Sequence, residues 1–340
     1  MLSVGLTHSV SKGVQIRPVN LKTDLVPLAD LIETAFADSM DRGGRAAIRE
    51  MRTLSHLGSG LNIITGLNEM IQGIGLGYVW VENGRLVGNV SIYPASWPRE
   101  YGTGFIIANV AVHPDFRGHG IARQLMVASI EAIRSRTKER SAETSPTIVL
   151  QVEAQNEIAR HLYLELGFHE ERTFTQWRRH PNRRLPLPLE NPPYITRRRA
   201  SEWREEMALA ERLRPNERGG IGWMRPLSKS LFRTSLLKQI GDMFNLRNHE
   251  RLAIHDEEGH LQATLWIDTA FGVESTPLVL MTAPEYQGLY DEALLNYAVR
   301  RFASSAITME HPTDDEFTTT LMQQYQFLPS RVLVHMKLTP

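Results

Sequence analysis

Arg117-Gly118-His119-Gly120-Ile121-Ala122 is the segment of this chain best suited to hold an anion. It follows an apolar run, Phe105 to Val112, in which Ile106, Ile107, Val110 and Val112 could bury both faces of a strand. Pro114 ends that run, because it has no N–H to give to a ladder. After the turn, Ile121, Leu125, Ile130 and Ile133 recur near helical spacing. A strand, a glycine turn and a helix start aim unpaired backbone N–H groups at one point, with the positive end of the helix dipole behind them. A Cβ in the turn would stand between that backbone and a phosphate. The Gly-Lys-Ser/Thr ending of a Walker loop is absent, and Arg123 stands where a dinucleotide fingerprint needs Gly or Ala. His113 and His119 flank the turn without a carboxylate framework, so they read as polar lining, and no metal is expected.

A second constellation lies downstream, Leu150-Gln-Val152-Glu153-Ala-Gln-Asn156-Glu-Ile-Ala159-Arg-His-Leu162-Tyr163-Leu-Glu-Leu-Gly167-Phe168. Ile148, Leu150 and Val152 alternate as a strand, and Asn156 is placed to cap a short helix carrying Ala159, Leu162 and Leu166. Gly167 stops that helix and Phe168 opens another strand.

Taken as Arg117-x-x-Gly120-x-Ala122, the first turn resembles the acyl-CoA pyrophosphate loop of the GNAT N-acetyltransferase superfamily. The second run resembles the other signature of that superfamily, Leu-x-Val-x-x-x-Asn-x-x-Ala-x-x-Leu-Tyr-x-x-x-Gly-Phe, at every named position. The resemblance covers about residues 14 to 180. It implies acetyl-CoA lying between two parallel strands that splay apart, Phe105 to Val112 and Ile148 to Val152. Backbone groups near Val110, Ala111 and Val112 would hold the pantetheine arm, and Arg117, Gly118, His119, Gly120, Ile121 and Ala122 would take the pyrophosphate. Asn156 resembles the side chain that reaches the cofactor arm, a role compatible with capping. Tyr163 resembles the general acid that protonates the departing thiolate, and a phenol with an ordinary pKa near 10 suits that task. Glu153 is the candidate base, because Gln151 occupies a place where many relatives carry Glu; deprotonation through water without a single base is the alternative. The implied activity is acetyl-CoA-dependent N-acetyl transfer to a primary amine of a small molecule or peptide. The competing class is a non-catalytic acyl-CoA-binding or sensing module.

Charge adds little direction: Lys+Arg and Asp+Glu are 38 each, so no net field draws the chain to nucleic acid or membrane. The absence of Cys excludes disulfides, thiol catalysis and thiolate-held zinc. Neither a signal peptide nor a spanning segment is legible, and the expected location is the cytoplasm.

Along the chain, a strand from Val14 and helices over 25–36 and 42–56 come first. By the same resemblance, residues 36–42 face the acceptor. The stretch 57–77 mixes six glycines (58, 60, 66, 73, 75, 77) with apolar residues and suits either a packed helix or a hinged lid. Glu82-Asn83-Gly84 joins two strands as a tight hairpin. A proline-rich connection spans 181–193, with arginines at 178, 179, 183, 184, 197, 198 and 199, for which a solvated charge run is a better account than RNA binding.

The pattern then repeats. Glu257-Glu-Gly259 mirrors Glu82-Asn-Gly84, Pro277 to Gly288 mirrors Asn109 to Gly118, and Thr308 to Phe327 mirrors the second signature. The copy is unfaithful where chemistry would need it: Tyr290 replaces Gly120, Glu292 replaces Ala122, Met322 replaces Tyr163 and Gln326 replaces Gly167. The expected fold is α/β (α+β), with two tandem GNAT-like domains, each a mixed, mostly antiparallel sheet flanked by helices and containing a splayed parallel pair. Residues 1–180 form the catalytic domain, 181–193 the linker and 194–340 a degenerate second domain, whose uses are to close the acceptor site, pack on the first or support a homodimer.

Overall fold

The computed structural model describes residues 13–37, 40, 42–55, 77–95, 97, 102–140, 145–182, 184–233, 247–270, 272 and 275–339. The glycine-rich stretch 57–77, expected as a helix or lid, lies outside these except for Gly77, as do residues 38, 39 and 41 of the expected acceptor loop. Among the described residues no helix is long and apolar enough to cross a membrane.

The chain forms two compact units that are not consecutive in sequence. One comprises 1–150, 162–168 and 337–340; the other comprises 151–161 and 169–336.

In the first unit β1 (Val14–Pro18), β2 (Tyr78–Glu82), β3 (Arg85–Pro94), β4 (Gly104–Val112) and the start of β5 (Thr147–Glu153) follow one another across a sheet. All pairings are antiparallel until β4 meets β5, which is parallel. Asn83 and Gly84 both take positive φ (50° and 79°), the conformation a two-residue hairpin needs, and Glu82 pairs with Arg85 across it. Helices α1 (Leu25–Ala35) and α2 (Arg42–Ser55) cover one face, packing Leu28, Ile32, Ile48 and Met51 with Val79. Helix α3 (Ile121–Arg140) covers the other. Gly88 makes room there, since a Cβ at that position would stand 2.9 Å from Ile121 and 3.0 Å from Leu125.

The second unit repeats the plan. Its strands run β12 (Leu328–Leu338), β6 (His169–Arg179), β11 (Ala306–Pro312), β10 (Ser275–Thr282), β9 (Leu261–Ala270), β8 (Arg247–His255) and β7 (Thr196–Arg197), with β10 and β11 the parallel pair. One face packs Trp177, Leu278, Leu280, Leu294 and Phe327 under α7 (Tyr290–Arg301) and α8 (Glu316–Gln324). The opposite face packs Leu209, Trp266, Val279 and Met281 under α5 (Trp203–Leu213). The strand expected after Phe168 forms, and its partner is β11, in register from Ile307↔Arg179 to Pro312↔Phe174.

The proline-rich connection is extended but tied down within this unit. Arg300 Nη1 donates to Pro186 O (2.6 Å) and Asn296 Nδ2 to Leu187 O (2.9 Å). Several arginines around it are not a solvated run. Arg179 is buried and donates through Nε to Tyr325 O (3.1 Å), and the buried Arg198 side chain lies 3.1 Å from Glu206.

Candidate active site

The anion turn is built in the first unit from a strand that is deliberately broken. Ala111 pairs with Asn89 and Ala108 with Ser91, so Asn109 and Val110 both oppose Val90. This β-bulge takes backbone groups of β4 out of the ladder. It is held by a polar cluster that sequence patterning alone did not reveal. Asn109 adopts φ 51°, a left-handed conformation that Asn tolerates better than most side chains. Asn89 Nδ2 donates to Asn109 O (2.9 Å), while Asn109 Nδ2 donates to Ser91 Oγ (3.3 Å) and Tyr93 Oη (3.4 Å). Asn89, Ser91 and Tyr93 alternate along β3 on the face that carries Val79, under α1 and α2. Two amides and a serine before a tyrosine at spacing two are the signal that was available.

β4 and β5 pair from Gly104↔Thr147 to Ile106↔Val149, and β4 continues alone to Val112. The expected splayed pair is therefore present, with Val110, Ala111 and Val112 on the part of β4 beyond its last β5 partner.

Beyond β4 the chain makes one 3-10 turn over Pro114–Phe116 and enters the glycine segment. The Arg117 side chain folds back instead of reaching outward: Nε donates to Val112 O (3.3 Å) and Nη2 to Ala35 O (3.4 Å). It fixes the turn to the end of β4 and the end of α1. Gly118 and Gly120 have φ 80° and 74°, and an added Cβ at either would meet nothing within 4 Å. The glycines are thus required by backbone conformation, and the space in front of them is open. Ile121 is buried against the sheet and starts α3. The helix ladder begins with Gln124 N–H to Gly120 O (3.1 Å), so the N–H groups of Ile121, Ala122 and Arg123 precede it. The residues for the metal pair considered above are engaged otherwise: Arg85 Nη2 lies 2.7 Å from His113 Nε2, and His119 Nδ1 lies 3.2 Å from Phe116 O.

Tyr163 belongs to the same unit. It is buried in the last turn of α4 (Glu157–Glu165), its ring tilted against Phe168 at 6.0 Å. Burial pushes its phenol well above the ordinary value, so the hydroxyl keeps its proton. Among the described residues its Oη has no hydrogen-bond partner. Phe168 N–H donates to Tyr163 O (3.0 Å) and Gly167 takes φ 90°, which closes the helix as its glycine predicts. An Arg123–Glu165 ion pair ties α3 to this helix.

Asn156 and Glu153 fall in the portion of chain assigned to the second unit. Asn156 Oδ1 accepts from Ala159 N–H (3.1 Å), so its capping role is realised. Glu153 Oε1 accepts from Arg331 Nε (2.8 Å), which leaves Oε2 as its other acceptor.

The equivalent turn of the second unit keeps the backbone course and fills its centre. Gly288 has φ 89°, and both its N–H (2.6 Å) and that of Glu292 (2.9 Å) donate to Asp291 Oδ1. Asp291 is fully buried, and burial raises its pKa above the ordinary value against the pull of those bonds. Tyr290 stacks on Tyr286 at 4.5 Å. The Glu292 carboxylate, expected to face the phosphates, instead accepts from Tyr325 Oη (3.2 Å). The negative charge in this turn is that of Asp291, a residue the sequence comparison passed over.

The family model described as an acetyltransferase (GNAT) domain matches residues 75–170, the span that holds both signatures. The first half of this chain is a GNAT domain. No curated protein matches the chain. Among solved structures, a GCN5-related N-acetyltransferase from Sphaerobacter thermophilus is similar at TM-score 0.60 and 17% identity, covering 96% of this chain and 95% of that one. A tandem GNAT protein from the clavulanic acid biosynthesis pathway is similar at TM-score 0.51 and 14% identity, covering 96% and 98%. At these identities the likeness is one of fold, and it extends over both halves. The chain is a tandem member of the GNAT superfamily, and acyl transfer is the chemistry that the GNAT domain supports in general terms.

Proposed function

We propose that this GNAT protein is an acetyl-CoA-dependent N-acetyltransferase acting on a primary amine of a small molecule or peptide, with residues 1–180 as the catalytic half. The observation that carries this reading is the open glycine turn at the start of α3, with left-handed Gly118 and Gly120 facing empty space. That cradle suits a pyrophosphate, and acetyl-CoA is the cofactor that would supply an activated acyl group there.

Within this reading, the N–H groups from Gly118 to Ala122 hold the diphosphate. Hydrogen bonds to a charged group contribute about 1.5–3 kcal/mol each, so a few suffice without a metal. The bulged stretch Val110 to Val112 offers backbone groups to the pantetheine arm, and Asn156 keeps its Nδ2 for the same arm while Oδ1 caps α4. Tyr163 holds a proton at Oη for a thiolate leaving group, and its raised pKa keeps that proton in place across the physiological range. Glu153 is the candidate base through Oε2. The alternative of water-mediated deprotonation gains support from the engagement of Oε1 by Arg331. The second half, residues 194–340, holds no CoA, because Asp291 already occupies its turn.

An amine panel assayed by release of free thiol from acetyl-CoA tests the proposal. Turnover above the solvent rate with at least one amine is expected. CoA binding without turnover on any amine would leave a binding module in its place.

A further inference from the structure

The second unit contains a cavity of about 270 Å³ that the reading above does not use. It opens beyond the C-terminal ends of β10 and β11, where crevices form between parallel strands that part. The two strands stay in register from Ser275↔Ala306 to Leu278↔Met309. Arg214, which follows α5, reaches this gap. Its Nη2 donates to Leu280 O (3.0 Å) and to His311 Nδ1 (2.9 Å), and its Nη1 donates to Ile221 O (2.8 Å). A guanidinium can only donate, so His311 Nδ1 accepts and Nε2 carries the hydrogen given to Asp315 Oδ2 (2.9 Å). Burial holds the imidazole near a pKa of about 4, hence neutral. Arg214 is buried, and among the described residues no carboxylate lies within ion-pair distance of it. An uncompensated buried cation is costly and calls for a partner.

The carboxylates of the wall are already committed. Asp314 takes Arg172 Nε (3.0 Å) on Oδ1 and Arg218 Nη2 (2.5 Å) on Oδ2. Asp315 accepts from His311, from the Thr318 N–H (3.0 Å) and hydroxyl (2.9 Å), and from Gln287 Nε2 (3.4 Å). Behind the wall, Glu310 turns to Trp223 N–H (3.2 Å), and Glu316 stands exposed at the rim. Three guanidiniums thus face two committed carboxylates, leaving one positive charge in excess. A second observation points the same way. Thr282 lines the cavity, is buried, and its Oγ1 has no hydrogen-bond partner. Buried hydroxyls are nearly always satisfied, so this one awaits an acceptor.

We infer that the cavity binds a small organic monocarboxylate, its oxygens on Arg214 and Thr282 and its carbon skeleton against Leu213, Met281 and Pro312. One surplus charge matches a monoanion, whereas a phosphate ester would bring a second negative charge beside Asp314 and Asp315. The volume is at the small end for ligand pockets, which restricts the guest to a few carbons or a single ring.

The test uses the full chain carrying Gly120→Tyr, so that the anion turn of the first half does not contribute. Sodium acetate, butyrate and benzoate are titrated against sodium chloride of equal ionic strength, by calorimetry and thermal unfolding. At least one should bind saturably and raise Tm, inorganic phosphate should not, and Thr282→Val should weaken binding at least tenfold. Arg214→Met should abolish it; if that variant does not fold, the isosteric Thr282→Val decides alone. Absence of saturable binding by all three carboxylates, phosphate binding in their place, or undiminished affinity in Thr282→Val would overturn the inference.

Discussion

The turns at 117–122 and 287–292 follow the same backbone path and differ in what occupies the centre. Each comes after a parallel strand and a 3-10 turn begun by proline, and each has a left-handed glycine before its helix. In the first, the glycines leave open space and the leading N–H groups of α3 are not taken by any side chain among the described residues. In the second, the N–H groups of Gly288 and Glu292 are satisfied by the carboxylate of Asp291. Helix N-termini favour a negative charge in either case. The protein supplies that charge itself in one half and leaves the place vacant in the other. A binding turn can therefore be retired without loss of fold, by a single acidic residue that does internally what a ligand would do.

The helix ends tell the same story. Gly167 has φ 90° and Gln326 has φ 64°, with matching closures from Phe168 to Tyr163 O (3.0 Å) and from Phe327 to Met322 O (2.9 Å). The backbone geometry survives while the phenol is lost.

The largest expected effect comes from making the first turn like the second. Gly120→Tyr places a ring in the open space at a φ of 74° and should abolish CoA binding by calorimetry. The fold should survive, because the conformational cost for a non-glycine residue there is roughly 1–2 kcal/mol. Two equivalent CoA sites in the wild type would break the comparison outright.

Next is Tyr163→Phe, which removes the proton donor and keeps the packed ring. General acid catalysis is worth about 10²–10⁴-fold, so kcat should fall by that order while CoA affinity stays put. An undiminished kcat would take Tyr163 out of the mechanism even with acetyl transfer confirmed.

A smaller effect separates the halves by pH. His311 has a folded pKa of about 4, below its ordinary 6.5, so the unfolded chain binds the proton first. Its contribution to stability is complete above about pH 6.5 and is lost as pH falls toward 4. Denaturant titrations at pH 7 and pH 5 should differ by about 2 kcal/mol for the second unit. His311→Gln should flatten that dependence; an equal slope in the variant would assign it elsewhere.

The smallest expected change is the most direct on the comparison. Asp291→Ala leaves two N–H groups without their acceptor, at a cost of about 1 kcal/mol because the turn can hydrate. Added phosphate should restore the lost Tm in this variant and have no such effect on the wild-type second unit. Phosphate-insensitive unfolding would mean that the carboxylate is a local brace and no substitute for an anion.

What the sequence determined by itself was everything governed by neighbours along the chain. Hydrophobic period, proline stops and left-handed glycines placed the strand, turn and helix of each half, the hairpin at Asn83-Gly84 and the cap at Asn156, because these depend on local sterics and local hydrogen bonds. The mismatch at Gly120 and Tyr290 was legible for the same reason. Tertiary structure alone decided the rest. Nothing local says that β6 pairs with β11, since a strand offers the same ladder to any partner of suitable register. Asp291 was invisible because its role depends on the turn bending its carboxylate onto Gly288. Asn89, Ser91, Tyr93 and Asn109 looked like ordinary strand residues until the bulge brought them together. The link from Arg214 through His311 to Asp315 joins three elements far apart in sequence, and only burial makes its charges matter.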